Sequence, residues 1–300
     1  MIAGFAHSTY FAPRGKERLM FLGHSLSQRY LHPNDHLIGL IGVAGAGKSL
    51  LIRGMFPGLT LTNDDEGINI RPLPLLEDYQ KGKFQSHTYH VDARFEAAFT
   101  QPWKLAEAVQ KAVIKNKRVV VEHFDLLESH LNINPDLLIG IGEEVLVTRP
   151  GVFGPTAKEI AQIVFKSIDL RRMSHTAEDL TSMVIEDMGY ERPPFHSDVK
   201  SGFVLEFEKK PDFSLDEVER RVLEYIEKDI PVCYLDEEHI KLGDRQYFCT
   251  GPRIHVRKTG DIKGFKLIKE FKYNPREKLY LLAGLVGKDE EHSQFKLSKL

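Results

Sequence analysis

Cysteine is scarce in this sequence. Cys233 and Cys249 are the two in 300 residues, which argues against a disulfide framework and for a reducing compartment where thiols stay free or hold metal. Long apolar runs are missing as well. No stretch approaches the roughly 18 residues that a membrane-spanning helix needs. The first residues, Met1 to Leu19, lack the basic start and unbroken apolar segment of a secretion signal. There is no internal repeat and no low-complexity tract. A dominant charge is also lacking: the formal net charge of −2 argues against a globally basic nucleic-acid binder but leaves room for a local basic face. What is present is ordinary for a globular protein, with 42% hydrophobic and 28% charged residues. The length suits one large domain or two smaller ones. Together these features predict a soluble, cytoplasmic protein with no membrane partner.

The chain divides by pattern. Thr148-Arg-Pro-Gly-Val-Phe-Gly-Pro155 resists helix and sheet alike, so it separates a first domain, 1–150, from a second, 156–300. In the first, apolar strand candidates (Leu37–Val43, Arg118–Glu122, Leu137–Ile141, Val145–Val147) alternate with helical stretches (Lys48–Phe56, Leu105–Ile114), the signature of an α/β sheet. The second opens with a capping box, Thr156-Ala-Lys-Glu159, followed by apolar residues on one helical face. A helix over Ser174–Asp187 comes next, then a strand over Gly202–Phe207. A second capping box, Ser214-Leu-Asp-Glu217, starts a helix running to about Lys228. Short strands over Gln246–Cys249 and Phe265–Ile268 complete an α+β pattern.

Gly42, Val43, Ala44, Gly45, Ala46, Gly47, Lys48 and Ser49 fit G-x-x-x-x-G-K-[ST]. Glycines let successive backbone N–H groups turn inward onto phosphate oxygens, and the helix that follows adds its positive end. Lys48 supplies a full charge, and the Ser49 hydroxyl suits a magnesium ion. The loop follows an apolar strand and opens a helix, as the motif requires. It predicts a nucleoside triphosphate with Mg²⁺. No Asn-Lys-x-Asp segment selects guanine, so ATP is expected. Glu122, at the end of an apolar strand, stands where the metal-organising acid of such a site belongs; the alternative is an ordinary strand-end acid.

Residues about 20–150 resemble the TsaE family of small ATPases that assist threonylcarbamoyladenosine synthesis on tRNA. The likeness rests on Leu22-Gly-His-Ser-Leu-Ser-Gln-Arg-Tyr-Leu31, the phosphate loop with Lys48-Ser-Leu-Leu-Ile-Arg-Gly54, Tyr89-His-Val-Asp92 and Glu122. By this resemblance Asp92 and Glu122 are the catalytic pair, organising Mg²⁺ and the attacking water. Three departures stand out. The family's S-P-T-F switch is not recognisable in Thr60 to Gly67, His123 replaces a tryptophan after the glutamate, and Ala-Arg-Phe follows Asp92.

A second constellation lies downstream. His175 and Asp179 are four apart and share one helical face; Cys249 and His255 follow much later. Two imidazoles, a thiolate and a carboxylate suit zinc, although a helical His/Asp pair can equally face water and a lone cysteine can equally fill a core. The run Phe248-Cys-Thr-Gly-Pro-Arg-Ile-His255 through Thr259-Gly-Asp-Ile-Lys-Gly-Phe-Lys-Leu267, with His175-Thr-Ala and Ser201-Gly-Phe-Val-Leu-Glu-Phe207, resembles the second additional domain of threonyl- and alanyl-tRNA synthetases. Residues about 160–285 are covered. That domain hydrolyses mischarged aminoacyl-tRNA. The resemblance implies a zinc held by His175, Asp179, Cys249 and His255. Asp179 takes the place of the family's second helical histidine, and two extra residues, Arg253-Ile254, precede His255.

The expected fold is therefore an α/β P-loop NTPase domain followed by an α+β synthetase-editing-like domain. The expected function is an ATPase fused to an aminoacyl-tRNA deacylase, with tRNA or aminoacyl-tRNA as partner and scope for a protein partner. Two other readings stand beside it. One is a P-loop kinase of a nucleoside or small molecule, with Leu73 to His90 as a mobile lid; the other is a non-catalytic tRNA-binding ATPase. A stretch from Arg253 to Lys278 holds nine basic residues against three acidic ones, interleaved with Phe265, Phe271 and Tyr273. It fits a phosphate-binding surface or a solvated charged face.

Overall fold

Strand pairing in the first half follows from its apolar runs. The computed structural model describes residues 8–62, 73–151 and 154–288 and divides into two compact units, Met1–Lys166 and Ser167–Leu300. The first unit has six strands: β1 (Ser8–Phe11), β2 (Leu37–Ile41), β3 (Thr88–Asp92), β4 (Arg118–Glu122), β5 (Leu137–Ile141) and β6 (Glu144–Thr148). They form one sheet in the order β1-β6-β5-β2-β4-β3. β3, β4, β2 and β5 run parallel; β6 and β1 add antiparallel pairs at one side. β2 is Leu-Ile-Gly-Leu-Ile and wholly buried, the continuous apolar run of a strand covered on both faces. It ends at Ile41, two residues before the expected Val43, because Gly42 begins the glycine-containing turn that leads to Lys48.

The helices here are α1 (Lys16–Tyr30), α2 (Lys48–Met55), α3 (Pro74–Gln80), α4 (Ala93–Glu96) and α5 (Pro102–Ile114). α1 and α2 cross closely: a Cβ on Gly54 would lie 2.0 Å from the Met20 carbonyl oxygen. The stretch from Leu73 to His90 is not a lid. Leu73, Leu75, Leu76 and Tyr89 belong to the first unit's core, and the Tyr89 hydroxyl donates to Asp78 Oδ2. Those apolar residues gain more from burial than from standing over a cleft. Of Thr60 to Gly67, residues 63–67 lie outside the described residues, as do residues 152 and 153 of the interdomain stretch.

At the amino end of β2, two arginines hold the preceding turn. Arg149 makes two bonds to the Asp35 carboxylate, at 2.7 and 2.8 Å, and a third to the Asp136 carbonyl. Arg118 donates to the carbonyls of His32, Pro33 and Asp35. Burial opposes ionisation of Asp35, but the Arg149 guanidinium outweighs it and holds the carboxyl below its usual range.

Helix α6 (Ala157–Asp187) is a single helix of 31 residues where the sequence suggested two. Its capping box is formed: the Thr156 N–H donates to Glu159 Oε2 and the Glu159 N–H to Thr156 Oγ1. The division between units falls inside it, at Lys166/Ser167, rather than at 148–155. The reason is packing. Ala157, Ile160, Ala161 and Val164 lie in the core of the first unit, whereas Ala177, Leu180, Met183 and Val184 lie in that of the second.

The second unit adds β7 (Phe195–Val199), β8 (Gly202–Phe207), α7 (Leu215–Glu227), β9 (Val232–Asp236), β10 (His239–Leu242), β11 (Arg245–Phe248), β12 (Lys266–Leu267), β13 (Lys272–Asn274) and β14 (Leu279–Leu285). β12, β14, β8 and β7 lie side by side with β13 also paired to β14, and β11-β10-β9 form a separate three-stranded sheet. Ser214 caps α7 by accepting the Glu217 N–H. Among the described residues no helix is long and apolar enough to cross a membrane.

Candidate functional site

Two clusters of polar side chains are buried, one in each unit. In the first, the loop from Gly42 to Ser49 leaves the carboxyl end of β2, the position where open α/β sheets hold ligands. Gly45 and Gly47 have φ of 78° and 99°, a backbone region that other residues rarely adopt. Strand register sets Asp92 beside Glu122 and Glu122 beside Leu40 of β2. Both acids therefore end their strands next to the loop. Ala44, Gly45, Gly47, Lys48, Ser49, Asp92 and Glu122 share a cleft of about 390 Å³ with Arg94, Phe95 and His123.

Glu122 is the hub of this cleft. Its Oε1 accepts from Ser49 Oγ at 2.8 Å and lies 3.2 Å from His90 Nε2, while Lys48 Nζ stands 3.8 Å from Oε2. Burial opposes its charge, but His90, Lys48 and Ser49 prevail and keep the carboxyl below its ordinary range. Lys48 Nζ also donates to the Val43 carbonyl at 3.1 Å. Asp92 has a second task. Its Oδ1 accepts the Phe95 N–H at 3.0 Å and caps α4. His123 is pushed down to about 4, first by burial and then by the Lys48 charge.

Behind Glu122 a further chain of contacts runs inward. The Thr62 N–H donates to His90 Nδ1 at 3.0 Å, with the Thr62 hydroxyl 3.1 Å from the same nitrogen. Thr62 Oγ1 also donates to Glu96 Oε1 at 3.4 Å. Burial raises the Glu96 carboxyl to about 8, so it is protonated at neutral pH. Sequence reasoning missed His90, Arg94 and His123 as parts of this site. His90 lay in the Tyr-His-Val-Asp segment, yet its neighbour Asp92 drew the attention.

In the second unit, His175, Asp179, Cys249 and His255 come together. One ligand atom from each lies within 4.8 Å of the others. His175 Nε2 is 3.1 Å from Cys249 Sγ, Cys249 Sγ is 3.8 Å from His255 Nε2, and His255 Nε2 is 2.9 Å from Asp179 Oδ2. α6 supplies the first two residues; the loop after β11 supplies the others. Thr176 clips that loop to the helix: its Oγ1 accepts the Val256 N–H at 3.1 Å and donates to the Arg172 carbonyl at 2.8 Å. Arg253 and Ile254 lie in the turn before His255, whose Nδ1 is 3.2 Å from the Pro252 carbonyl. That contact leaves Nε2 facing the cluster.

The donor set fits a tetrahedral dication. Bonds of about 2.0–2.3 Å to nitrogen, oxygen and sulfur imply ligand separations of roughly 3.3–3.8 Å; the three contacts named run from 2.9 to 3.8 Å, and no pair exceeds 4.8 Å. The Gly251 N–H points at Cys249 Sγ, 3.3 Å away, and would stabilise a thiolate. Without a cation, burial and then Asp179 push the Cys249 thiol far up. Burial opposes the Asp179 charge too, but the two histidines hold it at about 2.

His255 also lines a cleft of about 590 Å³ with Arg172, Arg253, Arg257, Lys263, Asp169 and Asp261. Six of the basic residues between Arg253 and Lys278 thus fall into two groups. Arg253, Arg257 and Lys263 reach this cleft, joined by Arg172 from α6, which sequence reasoning missed. Lys258, Lys269 and Lys272 pair with Asp229, Glu219 and Glu270; of the cleft residues, Arg253 pairs with Glu237 and Arg172 with Asp169. Exposed aromatic rings stand near: Arg253 lies 4.3 Å from the Tyr234 ring centre and Arg192 5.3 Å from that of Phe248.

No protein-family model and no curated protein matches this chain. Among solved structures, an ornithine aminotransferase from Toxoplasma gondii is similar over 85% of this chain and 70% of its own, at 12% identity and a TM-score of 0.22. A likeness that weak bears on neither fold nor function.

Proposed function

We propose that this chain is an ATP-binding, tRNA-related protein in which an ATPase is joined to a deacylase of aminoacyl-tRNA. On this reading the first unit is a P-loop NTPase domain and the second a synthetase-editing-like domain. The observation that carries it is the convergence of His175, Asp179, Cys249 and His255, drawn from segments some 70 residues apart, within 4.8 Å of one another beside a cleft walled by four basic side chains. A surface histidine–aspartate pair or a core cysteine would not require that meeting.

In the first unit, the loop Gly42–Ser49 would hold the phosphates of ATP, with Lys48 supplying charge to them and Ser49, Glu122 and Asp92 as the residues that would hold Mg²⁺. Magnesium held there would neutralise phosphate charge, and Glu122 and Asp92 would orient the attacking water. In the second, His175, Asp179, Cys249 and His255 would hold Zn²⁺. One thiolate and one carboxylate make the metal site formally neutral, which favours holding a substrate in place over strong Lewis activation. Arg172, Arg253, Arg257 and Lys263 suit the phosphates of an RNA end.

ATP turnover with and without tRNA, together with release of amino acid from mischarged tRNA, tests this. Turnover indifferent to tRNA but stimulated by a free nucleoside would overturn it in favour of a kinase. Zinc-loaded protein inert toward every mischarged tRNA would remove the deacylase.

A further inference from the structure

We propose that His90 is a positioning residue for Glu122, holding its carboxylate in place through a single proton fixed on Nε2. The inference rests on the nucleotide reading of the first unit and adds a residue to it.

Hydrogen bonding decides the tautomer. The Thr62 backbone N–H donates to His90 Nδ1 at 3.0 Å. A backbone N–H cannot accept, so Nδ1 carries a lone pair and no proton. The ring proton sits on Nε2, 3.2 Å from Glu122 Oε1. A buried carboxylate needs such donors to stay ionised and still. In this structure Ser49 Oγ gives one of them, at 2.8 Å. That hydroxyl is also the group expected to turn toward a phosphate-bound metal. When Ser49 turns, His90 keeps Oε1 where it is.

The scaffold behind His90 is itself polar and buried. Thr62 Oγ1 reaches Glu96 Oε1, and Thr62, His90 and Glu96 are each at most 3% exposed. Burying three polar groups costs stability unless they are mutually satisfied. A purely structural core would fill the space with apolar side chains at lower cost.

Two substitutions separate the roles of the two ring nitrogens. In His90→Gln the amide nitrogen reaches the place of Nε2 and can donate to Glu122, while the contact to Thr62 is lost. In His90→Asn the side-chain oxygen replaces Nδ1 and keeps the Thr62 N–H, while Glu122 loses its donor. Both full-length variants are assayed for MgATP turnover and for ATP affinity with and without Mg²⁺, with thermal melting to confirm folding. Positioning predicts that His90→Asn lowers kcat by about 10–100-fold, leaves metal-free ATP affinity as in the parent, and that His90→Gln recovers most of the loss. In a Glu122→Gln background the two variants should become equal.

The reverse order, with His90→Asn active and His90→Gln impaired, makes His90 a prop for Thr62 and overturns the proposal. Equal activity of both with the parent overturns it too. A parent that binds no ATP at all brings down the nucleotide reading itself, a distinct outcome because it appears before any variant is made.

Discussion

Replacing Lys48 by methionine tests the phosphate loop and the carboxylate beneath it together. Methionine keeps the buried apolar stem, since Lys48 is only 4% exposed, and removes the charge. At 3.8 Å from Glu122 Oε2, and with an effective dielectric near 20, the attraction lost is about 4 kcal/mol at most. Ser49 and His90 still donate to Oε1, and the desolvation cost of the ammonium disappears with it. The net loss of folding stability at pH 7 should therefore be about 1–3 kcal/mol, or a fall in Tm of roughly 2–4 °C per kcal/mol for a unit of this size. The pH dependence has a definite sign. Glu122 is depressed in the folded protein, so its contribution is full above the unfolded carboxylate range and lost as pH falls through the folded value. Removing Lys48 raises that folded value. The deficit of Lys48→Met should be full at pH 7 and shrink toward about pH 2, since Glu122 protonates first in the variant and in the parent only below the ordinary carboxylate range. Urea melts at the two pH values read this directly. Calorimetric titration with MgATP should show about 100-fold weaker binding, because a charge-assisted phosphate contact of roughly 3 kcal/mol is gone. Parent-like ATP affinity would refute the phosphate-loop assignment; a stability deficit independent of pH would refute the Lys48–Glu122 coupling.

The second unit should melt lower after chelation and recover with zinc, by about 2.7 kcal/mol when free zinc is a hundred times its Kd; scanning calorimetry of the parent and of Cys249→Ser checks this, and equal zinc shifts in both would remove Cys249 from the ligand set. Asp35→Asn should cost about 2 kcal/mol at pH 7, since it breaks a two-point contact to a guanidinium that is 29% exposed and hence partly screened. Because Asp35 is depressed when folded, that deficit should stay full down to the unfolded carboxyl's range and narrow only as pH falls below it through the folded value, and urea melts at pH 7 and about 2 will show it. Gly54→Ala should destabilise the first unit by roughly 1–3 kcal/mol through overpacking against the Met20 carbonyl oxygen; a neutral melting temperature would mean that α1 moves aside at no cost.

Patterns of one period were legible in the sequence. Arg118–Glu122 and Leu137–Ile141 are strands with those bounds, because a buried parallel strand is a short apolar run with polar flanks. The loop between β2 and α2 was legible because lysine and serine follow a glycine that needs positive φ. β1, β3, β7, β13 and β14 went unnoticed. Ser-Thr-Tyr-Phe and Lys-Tyr-Asn carry little apolar signal and owe their strands to a neighbour's edge. The fusion of two expected helices into α6 was also hidden, since its apolar stripe serves one core before Lys166 and another after it. In the candidate sites, His175, Asp179, Cys249 and His255 stood out as motif positions, whereas Thr176 and His90 make contacts across dozens of residues and leave no local spacing to read.

The sharing of α6 bears on how the second unit behaves when produced by itself. A fragment begun at residue 156, the natural choice from the proline- and glycine-rich stretch, takes along Ala157, Ile160, Ala161 and Val164, which in the whole protein belong to the first unit's core. Ile160 sits against Gly140 so closely that a Cβ there would lie 2.4 Å from its Cγ2. Stripped of that partner, the stripe becomes an adhesive face, and such a fragment would self-associate for reasons unrelated to RNA or metal. Begun at Ser167, the fragment leaves the stripe behind and keeps His175 and Asp179.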